Sequence, residues 1–278
     1  MTGQPPGQEP DIEPEIEPEI EIDTTVAHPA RVWDYWLGGK DHYPADQALG
    51  DQLNETMPEV VIWARADREF LGRAVRYLVA EAGVRQFLDI GTGIPTADNT
   101  HEVAQRLAPD SRVVYVDNDP VVLAHARALL TSTPQGATDY IDADLRDPET
   151  ILKAAERTLN LSRPVAIMLL GILEFLPDEQ AYPIVRRLVE AVPSGSHLTV
   201  ACPASDVNTE AMAEVVQRWN ESGATPAVLR SGAGIARFFD GMELLEPGVV
   251  PLPKWRPDPG TLFLDREIGF FCAVGRKP

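Results

Sequence analysis

The chain has 278 residues, 43 acidic against 24 basic, and a formal net charge of −19 at pH 7. That balance argues against nucleic acid as the main partner, because phosphate binding needs a basic surface. The apolar run Val165–Leu173 is too short to span a bilayer, and two cysteines, Cys202 and Cys272, are too few for a disulfide framework. The acidic N-terminus has no apolar h-region of the kind a signal peptide needs. The expectation is a cytoplasmic protein, not bound to membranes, with one sizeable domain and a full core.

Residues 1–25 read as a disordered tail. The segment Glu13-Pro14-Glu15-Ile16-Glu17-Pro18-Glu19-Ile20 repeats acid, proline and isoleucine. Proline removes backbone donors and like charges repel, so such a stretch does not form a core. Residues 26–84 read as an N-terminal helical arm. Arg31–Leu37 is aromatic, and a helix there places Val32, Tyr35 and Trp36 on one side before Gly38 and Gly39 break it. Pro58–Ala80 reads as a longer helix carrying Arg65, Arg68, Arg73 and Arg76.

Residues 85–278 alternate strand and helix. Strands are expected near 85–90, 112–117, 137–142, 163–170 and 196–202, and helices near 96–108, 120–131, 148–159, 178–191 and 206–222. This spacing predicts an α/β fold: a mostly parallel seven-stranded sheet with helices on both faces. Met242–Leu245 and Ile268–Val274 supply the last two strands, an antiparallel pair at the edge. The five prolines between Pro247 and Pro259 mark a rigid loop expected to shape a pocket.

The first strand runs into Asp89-Ile90-Gly91-Thr92-Gly93-Ile94-Pro95-Thr96. Glycines let the backbone turn sharply and approach a ligand closely. Pro95 suits the first position of a following helix. The second strand ends in Asp117, at about the spacing where a nucleotide fold places a carboxylate on ribose hydroxyls. Asn118 would lie beside the base. A dinucleotide site needs a third glycine under its pyrophosphate, and Thr96 stands there. S-adenosylmethionine (SAM) has no pyrophosphate, so it fits this turn better than NAD does. Asp89 sits where an acid would face the SAM ammonium. Asp144, followed by Leu145, is the candidate for the adenine amino group, with Asp142 as its competitor.

Three stretches resemble the Rossmann-like SAM-dependent methyltransferases: Phe87–Thr96, Val113–Pro120 and Asp144–Pro148. With Pro29–Asp41, Arg85–Gly93, Val114–Pro120 and Glu246–Pro247–Gly248, the chain resembles more narrowly the actinobacterial S-adenosyl methyltransferase family once catalogued as a domain of unknown function. The resemblance implies a class I methyltransferase with SAM as cofactor; it leaves the acceptor open. It also favours a covering role for the arm, with Tyr35, Gly38 and Gly39 near the methionine end of SAM; from the 58–80 helix, Arg68 is the candidate for the SAM carboxylate, with a solvated or ion-paired face as its other reading. Gly171, after the fourth strand, is a further candidate for holding SAM, and the segment Gly171–Leu176, with Glu174, falls on the acceptor side. The family commonly carries histidine where this chain has Glu174. Glu174 is the candidate base; orienting an amine or capping the next helix are its other readings. No HxxxH or CxxC pair suggests a metal. A NAD-dependent oxidoreductase and a SAM-binding protein without catalysis are the alternatives to a small-molecule methyltransferase.

Overall fold

The computed structural model describes residues 22–129 and 131–278. The expected tail therefore lies outside the described residues up to position 21. Of the expected tail, residues 22–25 are described; Ile22 packs on the domain, and residues 23–26 are exposed. Ile22 lies against Ile94, Val121 and Val122, and Arg31 donates to the carbonyls of Asp23 and Val26 at 3.0 and 3.3 Å.

Five strands run parallel: β1 (Gln86–Ile90), β2 (Arg112–Asp117), β3 (Ala137–Asp142), β4 (Ala166–Leu170) and β5 (His197–Pro203). Three more follow: β6 (Glu243–Leu244), β7 (Val250–Pro251) and β8 (Phe270–Arg276). The sheet order is β3-β2-β1-β4-β5-β8-β6, with β7 pairing β8 off this path. The path thus holds the seven strands expected, and a two-residue eighth is added. β8 is antiparallel to both β5 and β6 and inserts between them.

The strands are apolar on both faces, as a sheet covered twice requires. Successive side chains alternate faces. Phe87, Val113, Tyr115, Ala166 and Met168 join one core, and Leu88, Ile90, Val114, Val116, Ile167 and Leu169 the other. The first core includes side chains of α1 (Pro29–Leu37), α2 (Pro44–Thr56), α3 (Val60–Ala80), α4 (Thr100–Leu107) and α8 (Thr209–Glu221). The second includes those of α6 (Pro148–Ala155), α7 (Asp178–Glu190) and α9 (Gly232–Ala236). α5 (Pro120–Leu129) packs by Val121 and Val122 against Ile94. The N-terminal helices thus share one core with the sheet and have none of their own.

Two local expectations fail. Pro95 does not start a helix. α4 begins at Thr100, after Asn99, whose amide is held by Glu102 Oε2 at 2.8 Å and whose Oδ1 accepts from Thr96 N at 3.1 Å. A capping box outcompetes an isolated proline as a helix start, and residues 94–99 stay a loop. The proline-rich loop packs on the outer side of α3 and does not border the cavity described below. Trp255 is fully buried edge-on against Phe70, and Arg73 donates to the carbonyls of Trp255 and Leu252 at 3.1 and 2.7 Å.

The two glycines after α1 have a structural cause. Gly38 caps the helix at φ +82, and Gly39 N–H returns to the Asp34 carbonyl at 2.9 Å. A Cβ on Gly39 would lie 1.8 Å from Asp34 Oδ1. The chain wraps tightly round the Asp34 carboxylate, which accepts from Asp41 N at 2.9 Å and lies 3.1 Å from His42 Nδ1. Gly38→Val forces a β-branched residue into the left-handed region, at a cost of about 1–2 kcal/mol. Urea unfolding of the ligand-free variant is expected to show that loss; unchanged stability would mean the turn relaxes freely.

Candidate active site

One cavity opens at the carboxyl ends of β1, β2, β4 and β5, beyond the end of β3, and is roofed by α1, α3 and α8. Its β1 side is the glycine turn. Gly91 and Gly93 have φ of +75 and +65. A Cβ on Gly91 would strike the Ile172 side chain at 2.8 Å, so the turn is pressed against the segment after β4. Nothing lies within 4 Å of where a Cβ on Gly93 would stand. The same turn is fastened to β2. Gly91 N–H donates to Val116 O at 2.8 Å, Thr92 Oγ1 to the same carbonyl at 3.2 Å, and Gly93 N–H to Asp117 Oδ2 at 2.9 Å.

Asp117 takes two further backbone N–H groups on its other oxygen, from Asn118 at 2.9 Å and Asp119 at 3.0 Å. Burial pushes its carboxyl above the ordinary range, against the pull of these N–H groups. Asn118 and Asp144 also face the cavity, their side chains 3.4 Å apart, with Leu145 beside them. Asp142 is exposed and does not line it. Pro95 and Thr96 border the cavity from the loop, and Arg68 pins that loop by donating to the carbonyls of Ala97 and Asp98 at 3.0 and 2.9 Å. Asp89, 5% exposed, accepts from Thr100 Oγ1 at 2.6 Å.

Across the cavity stand Gly171 and Glu174. Glu174 belongs to a 3-10 turn over Leu173–Phe175. Its carboxyl is buried in the cavity wall, so it does not cap α7. The Arg230 guanidinium spans the back of this turn, bonded to the carbonyls of Leu173 and Leu176 at 2.7 and 2.6 Å and to Asp178 at 2.9 Å.

Three expected residues are not brought to the cavity: Tyr35, Gly38 and Gly39. Tyr35 turns outward, its ring beside His42 and its hydroxyl donating to Asp51 Oδ1 at 2.5 Å. α1 presents Trp33, Asp34, Trp36 and Leu37 instead. Trp33 and Leu37 are one helical turn apart, and Tyr35, midway between, falls on another side.

Sequence reasoning missed Asp67, which faces the cavity with Trp63 and Leu71. The three recur every fourth residue, so an acid inside the apolar stripe of α3 was the signal available. Asp119 was also missed; it lies 2.7 Å from His28 Nδ1 and 3.5 Å from Arg31 Nε, joining the N-terminal segment to the end of β2. The aromatic wall of Trp33, Trp63, Phe175, Trp219 and Phe270 gave no local signal, since it is gathered from five separate segments. Among the described residues no group of three or more His, Cys, Asp or Glu is arranged to hold a metal ion.

A family model described as S-adenosyl methyltransferase matches residues 15–278. The structure resembles a DUF574 family protein from Streptomyces avermitilis MA-4680, with 48% identity over 93% of this chain and 100% of that one, and a TM-score of 0.89. It also resembles a structure described as a putative methyltransferase from Thermobifida fusca YX, with 41% identity over 92% and 96% of the chains and a TM-score of 0.83. A SAM-dependent methyltransferase from Anabaena variabilis ATCC 29413, at 13% identity over 91% and 98% of the chains and a TM-score of 0.50, shares the fold. No curated protein matches. With its match spanning almost the whole chain, this protein belongs to the S-adenosyl methyltransferase family and its cofactor is SAM.

Proposed function

We propose that the chain is an enzyme that transfers the methyl group of SAM to a small-molecule acceptor, with donor and acceptor side by side in the one cavity. The observation that carries this reading is the continuity of that cavity from the glycine turn and Asp117 to Glu174 and the aromatic wall. The donor half lies over β1–β3. Open space before Gly93 suits the close approach of the methionine end. Asp117 serves the ribose hydroxyls, Asn118 and Asp144 the adenine edge, and Asp89 the ammonium. Arg68, already orienting the loop, is the cation available for the SAM carboxylate. The acceptor half lies over β4, β5 and β8.

When bound, SAM supplies a sulfonium, an activated methyl donor. The protein's task is to align an acceptor atom with the methyl and to exclude water. Trp33, Asp34, Trp36 and Leu37 of α1 and Trp63 of α3 roof the cavity, so the N-terminal arm serves as the cover. NAD is the poorer reading, with Thr96 in place of the third glycine. The described helices include none long and apolar enough to cross a membrane, and both cysteines are buried free thiols; we read the protein as cytoplasmic.

Two measurements test this. Asp117→Ala removes charge-assisted hydrogen bonds contributing roughly 1.5–3 kcal/mol each, so SAM affinity is expected to fall at least about tenfold by calorimetry. Thermal shift should respond to SAM and S-adenosylhomocysteine and not to NAD; a response to NAD alone would overturn the reading.

A further prediction concerns pH. Burial raises Asp89 to about 6, Asp67 to about 7 and Glu174 to about 8. Thr100 and Arg68 oppose the rise at Asp89, Arg68 at Asp67, and a backbone hydrogen bond and Arg230 at Glu174. Between the ordinary carboxyl range and these values the folded state holds protons that the unfolded state has lost. Stability of the ligand-free protein therefore falls as pH rises through that window. Glu174→Gln is expected to be more stable than the parent by more than about 1 kcal/mol at pH 8. The two should converge toward pH 4.5, the ordinary glutamate value.

A further inference from the structure

We propose that the acceptor half of the cavity takes an organic amine carried on a flat apolar body, its nitrogen held by the carboxylates of Glu174 and Asp67 against an aromatic wall. The inference rests on the methyltransferase reading and names its substrate class.

Two observations carry it. Glu174 and Asp67 are each 5% exposed, and Glu174 Oε2 and Asp67 Oδ1 have no hydrogen-bond partner. Both residues face the cavity. Unpaired acceptors buried at this depth are costly unless something supplies donors. An ammonium supplies up to three donors and a compensating charge.

The surroundings fix the rest of the ligand. Phe270 stacks at 5.8 Å from Trp33 and 5.6 Å from Trp63. A Cβ on Gly171 would lie 3.8 Å from Glu174 Oε1 and 4.0 Å from the Phe270 ring, so carboxylate and aromatic wall meet over the β4 turn. Phe175 and Trp219 close the far side with ring centroids 5.7 Å apart. Aromatic faces attract cations as well as flat apolar groups.

Charge decides between amine and oxygen acceptors. Asp67, Asp89 and Glu174 all line the cavity. Asp89 is assigned to the SAM ammonium, and burial leaves Glu174 mostly and Asp67 partly protonated at neutral pH, so a cationic ligand is what restores their ionised form. The cations near Glu174 and Asp67 have other roles: Arg230 holds two carbonyls and Asp178, and Arg68 is assigned to the loop and the SAM carboxylate. An amine meets this requirement, being cationic on arrival, neutral at attack and cationic again as product. The ammonium gives a proton to the Glu174 carboxylate. The nitrogen lone pair then forms the N–C bond while the S–C electron pair returns to sulfur, leaving a methylammonium and the thioether S-adenosylhomocysteine. The proton on Glu174 passes to solvent. Burial holds Glu174 near 8, which suits a group that takes and returns a proton at neutral pH.

The test uses the full chain loaded with S-adenosylhomocysteine, titrated by calorimetry at neutral pH. The probes are phenethylamine and tryptamine, each against its neutral counterpart, 2-phenylethanol and tryptophol. At least one amine is expected to bind about tenfold tighter than its alcohol, with proton release seen as buffer-dependent heat. Glu174→Gln should abolish that preference and the proton release while S-adenosylhomocysteine affinity stays unchanged; Asp67→Asn gives the same readout if Glu174→Gln does not fold. With SAM, mass spectrometry should find the preferred amine N-methylated. No amine preference in the parent, or an undiminished one in the folded variant, overturns the inference. Failure to bind S-adenosylhomocysteine at all instead overturns the methyltransferase reading beneath it.

Discussion

The site depends on one side chain bridging two strands. Asp117, at the end of β2, accepts Gly93 N–H from the turn after β1 and two N–H groups from its own loop. Parallel pairing brings β1 and β2 side by side, but pairing alone does not shape the loops beyond the strands. The carboxylate does, because backbone donors gathered round a buried anion are stronger than neutral bonds. The glycine turn is pressed from the other side by Ile172, after β4. The glycine turn is thus set by its neighbours on both sides.

That fixed edge divides the cavity by chemistry. Over β1–β3 the walls offer polar groups suited to a nucleoside and an amino acid. Over β4, β5 and β8 they offer rings and two carboxylates lacking partners. Each of these acids is destabilising in the empty protein, and each is positioned to be neutralised by something positive. Strain of this kind at a site is stability given up for function.

Most of the sheet was legible because the strands announce themselves. Gln86–Ile90 and Arg112–Asp117 are apolar runs with turn residues after them. The cavity-lining residues Gly91, Gly93, Asp117 and Asp144 were legible for the same reason: they sit where the strands end. Pro95 misled, because a capping pair four residues later, Asn99 with Glu102, sets the helix start. Tyr35, Gly38 and Gly39 misled because aromatic and glycine content says nothing of helical phase; the glycines serve the Asp34 turn. The acceptor wall was illegible. Trp33, Trp63, Phe175, Trp219 and Phe270 share no local pattern, and only the tertiary fold brings them together.

The stacking of Trp33 on Phe270 has a consequence for how the enzyme comes into being. The two rings, 5.8 Å apart, come from opposite ends of the chain. β8, which supplies Phe270, follows the first five strands in the chain and slots between β5 and β6. Closing so long a loop adds little entropy per residue, but the contact has to wait for the ribosome. The glycine turn, Asp117 and the first five strands can associate before then. A nascent chain can therefore assemble its glycine-turn edge while the opposite chamber still lacks a wall, which is completed only once β8 has emerged.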